Sequence, residues 1–233
     1  MTSDMTRQNR LTGTLDAVLH LLDRQVVDVH GRLVCKVDDL ELVQTESGDL
    51  GVTALLSGPA ALVPRLADGR LGRRLHDHWR RLGEPHLDHD DPYRIDLALV
   101  AHLGSGVELT VPREGVLVRQ GQRGHRLNDL LQMTVQGPDG VPVGRVLDVR
   151  LEPRPQANGE VLWVTGLVIG RGRPGSYLGY DRRPDMGPWL VARIVRFLHR
   201  HSSYVALEHV QDLSWSGGVM RVDPGRMETL ERA

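Results

Sequence analysis

Apolar and polar positions alternate with period two in short runs along most of the chain, which predicts strands. Such runs cover Gln25–Val29, Leu33–Val37, Asp38–Val43 and Val52–Leu56, and later Arg94–Ala101 and Val107–Val111. They return at Val149–Leu151, Val161–Ile169, Tyr204–Val210 and Val219–Val222. Two stretches change to a period near 3.6 and predict helices. Leu71, Leu75, His78, Trp79 and Leu82 fall on one face, opposite Arg73, Asp77 and Arg80. In the second helix, Pro188–His201, the apolar face is Leu190, Val191, Ile194, Phe197 and Leu198, and Pro188 suits a helix start because its missing N–H costs nothing there.

The strand pattern occurs twice. Leu22–Leu42 and Leu131–Leu151 superpose at one constant offset, which pairs Leu22 with Leu131, Val26 with Val135, Gly31 with Gly140, Val34 with Val143, Val37 with Val146, Asp39 with Asp148 and Leu42 with Leu151. A duplicated module organises the chain. Each copy opens on a hairpin that turns at His30-Gly31 or at Asp139-Gly140. Asp-Gly is a strong two-residue turn signal because both central positions need positive φ, so Gly31, Asp139 and Gly140 read as structural turn residues. Residues 1–14 and 226–233 read as tails, 15–118 and 127–225 as the two modules, and the polar, glycine-containing stretch 119–126 as a linker.

The hairpin pattern resembles the PRC-barrel family. The second copy carries it as Val135, Asp139-Gly140, Val143-Gly144-Arg145-Val146 and Asp148-Val149, and the first as Val27-Asp28, Gly31, Val34, Lys36-Val37 and Asp38-Asp39-Leu40. The first copy departs from it at Cys35, where the pattern has glycine, and a wider strand or altered bulge is expected there. The resemblance implies a mainly β fold of two tandem small PRC-like barrels, each with an inserted helical segment. It also implies a non-enzymatic adaptor that binds a protein partner, as in cell division or a membrane-associated complex, and it carries over no catalytic residues and no cofactor.

Composition narrows the function classes. A net charge of -1 gives no global pull toward nucleic acid or anionic lipid, and an aromatic content of 4% leaves little for base stacking. Arginines at 70, 73–74, 80–81, 171, 173 and 182–183 therefore read as a solvated face, in keeping with the arginine-rich, lysine-poor usage of GC-rich bacterial genomes such as those of actinobacteria. No run reaches the roughly 20 apolar residues needed to span a bilayer, so membrane association would come through a partner. A lone Cys35 and the absence of a signal-peptide pattern point to the cytoplasm.

Candidate chemistry is sparse. His76, His78, His86 and His89 with Asp90 have metal-ligand chemistry, but His76 and His78 diverge on a helix and the second copy has no counterpart. A metal- or ligand-sensing protein built on His86, His89 and Asp90 is thus one alternative, and a RimM-like ribosome- or RNA-associated factor is another. The better surface candidate is a stripe of Arg193, Arg196 and Arg200 with Trp189 on the same side, residue types that dominate binding hot spots. Self-association of the chain is left open. Cys35 is expected to be buried and inert, and Asp38 and Asp39 to point to opposite faces of a strand. Specificity is expected where the copies disagree, at residues 59–92 and 171–203.

Overall fold

The computed structural model describes residues 13–66, 91–119, 123–156, 159–170 and 202–229. In chain order the first half holds β1 (Leu15–Asp16), α1 (Ala17–His20), β2 (Gln25–Val27), β3 (Leu33–Lys36), β4 (Asp39–Gln44), β5 (Leu50–Ser57), α2 (Pro59–Leu66), β6 (Tyr93–Asp96), β7 (Val100–Leu103), β8 (Val107–Leu109) and β9 (Val118–Arg119). The second half holds β10 (His125–Arg126), α3 (Leu127–Leu131), β11 (Thr134–Gln136), β12 (Pro142–Gln156), β13 (Gly159–Gly170), β14 (Ser202–Ala206), β15 (Val210–Ser214), β16 (Val219–Val222) and β17 (Glu228–Thr229). The fold is mainly β, built of mixed sheets, with no closed barrel among the described residues. The helices expected over 71–82 and Pro188–His201 lie outside those residues. No described helix is long and apolar enough to cross a membrane.

Two compact units share the chain, and their division does not follow the halves of the sequence. One takes in the described parts of 20–126 and 152–163; the other takes in Asp16–Leu19, Leu127–Leu151 and the described part of 164–233. Long strands β12 and β13 each contribute residues to both.

In the first unit, β3, β2, β8 and β7 form a four-stranded sheet in that order, with β2 antiparallel to β3 and parallel to β8. A separate layer centres on β5. It pairs along one edge with β4, and along the other with β6 (Ser57 opposite Tyr93) and with β13 (Trp163 opposite Gly51). β5 is therefore buried at seven of its eight positions, which explains why Leu50-Gly51-Val52-Thr53-Ala54-Leu55-Leu56 is nearly continuous in apolar or small residues. Leu40, Leu42, Leu50, Leu55 and Ile95 pack there, each at 2% exposure or less. Burying such a side chain contributes about 1.5–3 kcal/mol.

The stretch expected to be a linker is anchored in this unit. Arg119 lies in β9 opposite Tyr93, and His125-Arg126 form β10 against Leu42 and Glu41. Its polar composition reflects an edge position, and polarity alone does not distinguish an edge strand from a loop. Arg126 has a further role set by the sequence of α2. Pro64 lies inside that helix and has no N–H to give the carbonyl of Ala60, which instead accepts from Arg126 Nη1 at 2.7 Å.

The second unit repeats the hairpin and its parallel neighbour. β11 is antiparallel to β12 (Val135 opposite Gly144) and parallel to β16 (Val135 opposite Met220), as Val26 stands opposite Cys35 and Val107 in the first. A 3₁₀ turn at Leu207–His209 leads into β15, as Leu97–Leu99 leads into β7. The end of the chain, expected to be a tail, continues into β17, which pairs Thr229 with Ser203 of β14. The differences lie at β12 and β13. β12 runs unbroken through the residues that in the first copy are split between β3 and β4, and β13 continues the same sheet beside it.

Candidate functional site

The two hairpin loops are the elements that both copies build alike. In the first, Gly31 N donates to Asp28 O at 2.8 Å and Asp28 N to Arg32 O at 2.9 Å. In the second, Gly140 N donates to Gly137 O at 3.0 Å and Gly137 N to Val141 O at 2.9 Å. Only the glycine of each loop has positive φ, 74° at Gly31 and 77° at Gly140; among described non-glycine residues that region is entered by Asp23 alone. The expected two-residue turn with both central residues at positive φ is therefore corrected to a three-residue loop closed by a glycine bulge, a hairpin class that needs one left-handed residue instead of two. Both hairpins shift register in the last step of the first strand, just before the loop, at Val26/Val27 and at Val135/Gln136.

A different carboxylate braces each loop. Asp28, 2% exposed, accepts from the backbone N–H of His30 and Arg32 at 2.9 Å each, from Arg113 N at 3.1 Å and from Arg32 Nε at 2.9 Å. Burial opposes its ionisation, but the Arg32 guanidinium and the backbone donors of Arg32, Arg113 and His30 outweigh that and hold the carboxyl well below the usual range. Arg32 also donates to Glu114 at 3.0 Å. In the second loop glycine occupies position 137, and Asp139 Oδ1 folds into the vacated space, accepting from Val141 N at 3.1 Å. Outside both loops sit apolar side chains: Val29 is 39% exposed, Leu33 55% and Val141 56%.

A second group of polar residues surrounds the start of α2. Asp38 accepts from Gly58 N at 2.7 Å and from Ser57 Oγ at 3.3 Å, and burial pushes its carboxyl up against those donors. Arg65, 3% exposed, donates to Asp38 O at 3.0 Å and forks onto both Asp23 oxygens at 2.6 and 2.7 Å. A cavity of about 220 Å³ opens at the start of α2, lined by Ser57, Gly58, Pro59, Tyr93 and Arg119 among others. Arg119 stacks on the Tyr93 ring at 4.7 Å and donates to its hydroxyl at 3.2 Å. Cys35 is half-buried instead of fully enclosed, and burial pushes its thiol up although the Ser57 side chain bonds to it. A thiol held protonated in this way is a poor nucleophile.

Behind β5, Glu41 collects Thr53 Oγ1 at 2.8 Å, Arg94 Nε at 3.1 Å and Arg123 N at 3.2 Å, a buried carboxylate saturated by donors. In the second unit Asp148, 8% exposed, accepts from Val18 N at 2.7 Å, Leu19 N at 3.2 Å and Val149 N at 2.7 Å. None of these clusters is apparent from local spacing. Arg65 and Asp23 are 42 positions apart, and Arg150, which donates to Asp16 at 3.2 Å, is 134 away from it.

Gly31, Asp139 and Gly140 are placed in the loops as described. Trp189, Arg193, Arg196 and Arg200 lie outside the described residues, as do His86, His89 and Asp90. Among the described residues no group of three or more His, Cys, Asp or Glu side chains is arranged to hold a metal ion. Neither a protein-family model nor a curated protein sequence matches this chain.

Proposed function

We propose that the chain is a non-catalytic adaptor of the tandem PRC-barrel kind, which docks a protein partner through its two equivalent hairpin loops. One observation carries this reading: of the four most exposed large apolar residues in the described chain, Val29, Leu33 and Val141 lie beside those loops. A single exposed valine is ordinary. Apolar side chains presented at both copies of one braced loop are the arrangement that two linked weak contacts require, because the second contact then forms at a high effective concentration. The buried carboxylates Asp28, Glu41 and Asp148 support the same reading, since each is engaged by backbone or arginine donors that fix local structure.

The test is crosslinking capture from the native cell with three folded variants: Val29→Asp with Leu33→Asp, Val141→Asp, and all three together. A partner recovered by the wild type should fall about tenfold or more when either loop is altered. Equal recovery by the triple variant overturns the reading. Loss confined to a variant with alanine at Trp189, Arg193, Arg196 and Arg200 moves the docking surface to that segment.

A further inference from the structure

Each copy opens on a two-residue strand that runs into a short helix, and each of these opening segments is seated in the unit built mainly from the other copy. β1 and α1 precede the first hairpin, yet β1 pairs with β12 and Asp16–Leu19 belong to the second unit. β10 precedes the second hairpin, yet it pairs with β4 and His125-Arg126 belong to the first unit. The two seats are alike in shape. Ala17 and Leu127, the residues that follow the two strands, are both fully buried, and the segments lie beside counterpart positions of the duplicated stretch, Glu41 in one seat and Arg150 in the other.

The charges in the two seats are reversed. In the first unit the incoming segment is basic: Arg126 lies opposite Glu41, and Arg123 N donates to Glu41 Oε2 at 3.2 Å. In the second unit the incoming segment is acidic: Arg150 Nε donates to Asp16 Oδ1 at 3.2 Å, with the two side chains 14% and 19% exposed.

We propose that these charges are an address: each opening segment matches the other copy's sheet and mismatches its own, so the two copies form a pair that neither forms with a duplicate of itself. Seated in its own copy, Asp16 would face Glu41, whose side chain is 2% exposed, and Arg126 would face Arg150. Like charges directly opposite one another destabilise a sheet, and more strongly where water is excluded. Arg94, which bonds Glu41 at 3.1 Å, is already shared with Asp96 at 3.4 Å. The residues that cap the helices do not discriminate. Asp148 accepts from the first N–H groups of α1, and its counterpart Asp39 is a buried carboxylate too. The choice of seat therefore rests on the charges at 16, 41, 126 and 150.

Two measurements on the full chain test this. Amide hydrogen exchange at Val18 and Leu19 reads the second seat. Asp16→Arg should lower their protection about tenfold or more, because a mismatched charge repels as well as failing to attract. Asp16→Asn, which only removes the attraction, should lower it less. Adding Arg150→Glu to Asp16→Arg should bring protection back to within about threefold of wild type, the behaviour of a coupled pair. Equal protection in Asp16→Asn and Asp16→Arg overturns the address, and so does a reversed pair that does not recover. The second measurement asks whether the copies choose each other. A protease site replacing residues 120–122 is cut in the folded chain, the pieces are unfolded and refolded together, and native mass spectrometry reads which pieces associate. Particles with one piece of each kind are expected from the wild type. In Asp16→Arg, whose first piece carries the charge that Glu41 accepts, pairs of that piece should appear at the expense of mixed ones. Like pairs from the wild type overturn the proposal, as do undiminished mixed pairs in Asp16→Arg. Should the cut pieces fail to refold, the hydrogen-exchange comparison on the uncut chain decides.

Discussion

Cys35 and Gly144 occupy the same position in the two hairpins, opposite Val26 and Val135, and the sheets around them differ. At Gly144 a β-carbon would stand 2.8 Å from the carbonyl oxygen of Gly170, so the missing side chain lets the end of β13 lie against β12. With that contact available, β12 continues from Pro142 to Gln156 and one sheet carries both strands. At Cys35 a half-buried side chain stands where the second copy has none. There the chain breaks after Lys36, Asp38 N turns to Leu56 O at 2.8 Å, and β3 becomes the edge of a separate four-stranded sheet. Glycine at this position permits the close approach through which the second hairpin is extended by the next strand, and the first hairpin, which has cysteine there, is left as an edge. The exposed Lys36, the only lysine in the chain, lies on that edge, where a charge discourages pairing with another chain.

The sharpest way to break the comparison is to deny the second copy its glycine. Gly144→Val should cost about 3 kcal/mol, because a branched side chain must push a backbone carbonyl and not the end of a flexible side chain. Urea denaturation measures it. A cost below about 0.5 kcal/mol, the range of neutral surface changes, would mean that β12 and β13 do not need the close approach.

The two loops allow a subtler comparison, since Asp28 and Asp139 brace the same geometry with different numbers of donors. The Asp28 carboxyl is held low in the folded chain, so its ionised form stabilises the fold above the ordinary carboxylate range, and that contribution is lost progressively as pH falls below about 4. Asp28→Asn should remove this acid-side limb from a plot of melting temperature against pH. An unchanged limb would show that the donors around Asp28 do not discriminate its charged form. Asp139→Ala removes one exposed bond to Val141 and should cost about 1 kcal/mol or less.

The repeat was legible in the sequence because hairpins are local: period-two alternation and a glycine at the turn are written within twenty residues. Val219–Val222 matches β16 residue for residue on the same ground. What could not be read was non-local. The strand β10 looked like linker because two polar residues at a sheet edge have no period to detect. The division of the chain into units followed no composition change at all, since the exchanged pieces Asp16–Leu19 and Glu152–Trp163 are short and take their meaning from distant partners. The turn residues were identified, but the turn type was not, because one left-handed glycine is compatible with loops of two or three residues. Cys35 was noticed as a departure, and it lies in the strand that ends at Lys36 where β12 runs on.

The converse exchange, Cys35→Gly, should have the smallest effect on stability and is the most discriminating. Removing the thiol opens the space that Gly144 leaves in the second copy, so steric exclusion alone would predict that β3 and the end of β5 now pair and the two sheets merge. Two further restraints oppose that. The Asp38 carboxylate holds Gly58 N at 2.7 Å, and Gly58 itself has φ of 97° with the Tyr93 ring 3.2 Å from where its β-carbon would be, so the end of β5 is already fixed in a turn. The variant should therefore lose less than about 1 kcal/mol, the ordinary cost of glycine in a strand, and keep the amide exchange of Val34 and Lys36 unchanged. New protection at those two amides would show that Cys35 alone divides the sheets. If it appears only when Asp38→Ala is added, side chain and cap divide them together, and the difference between the copies was fixed by two substitutions.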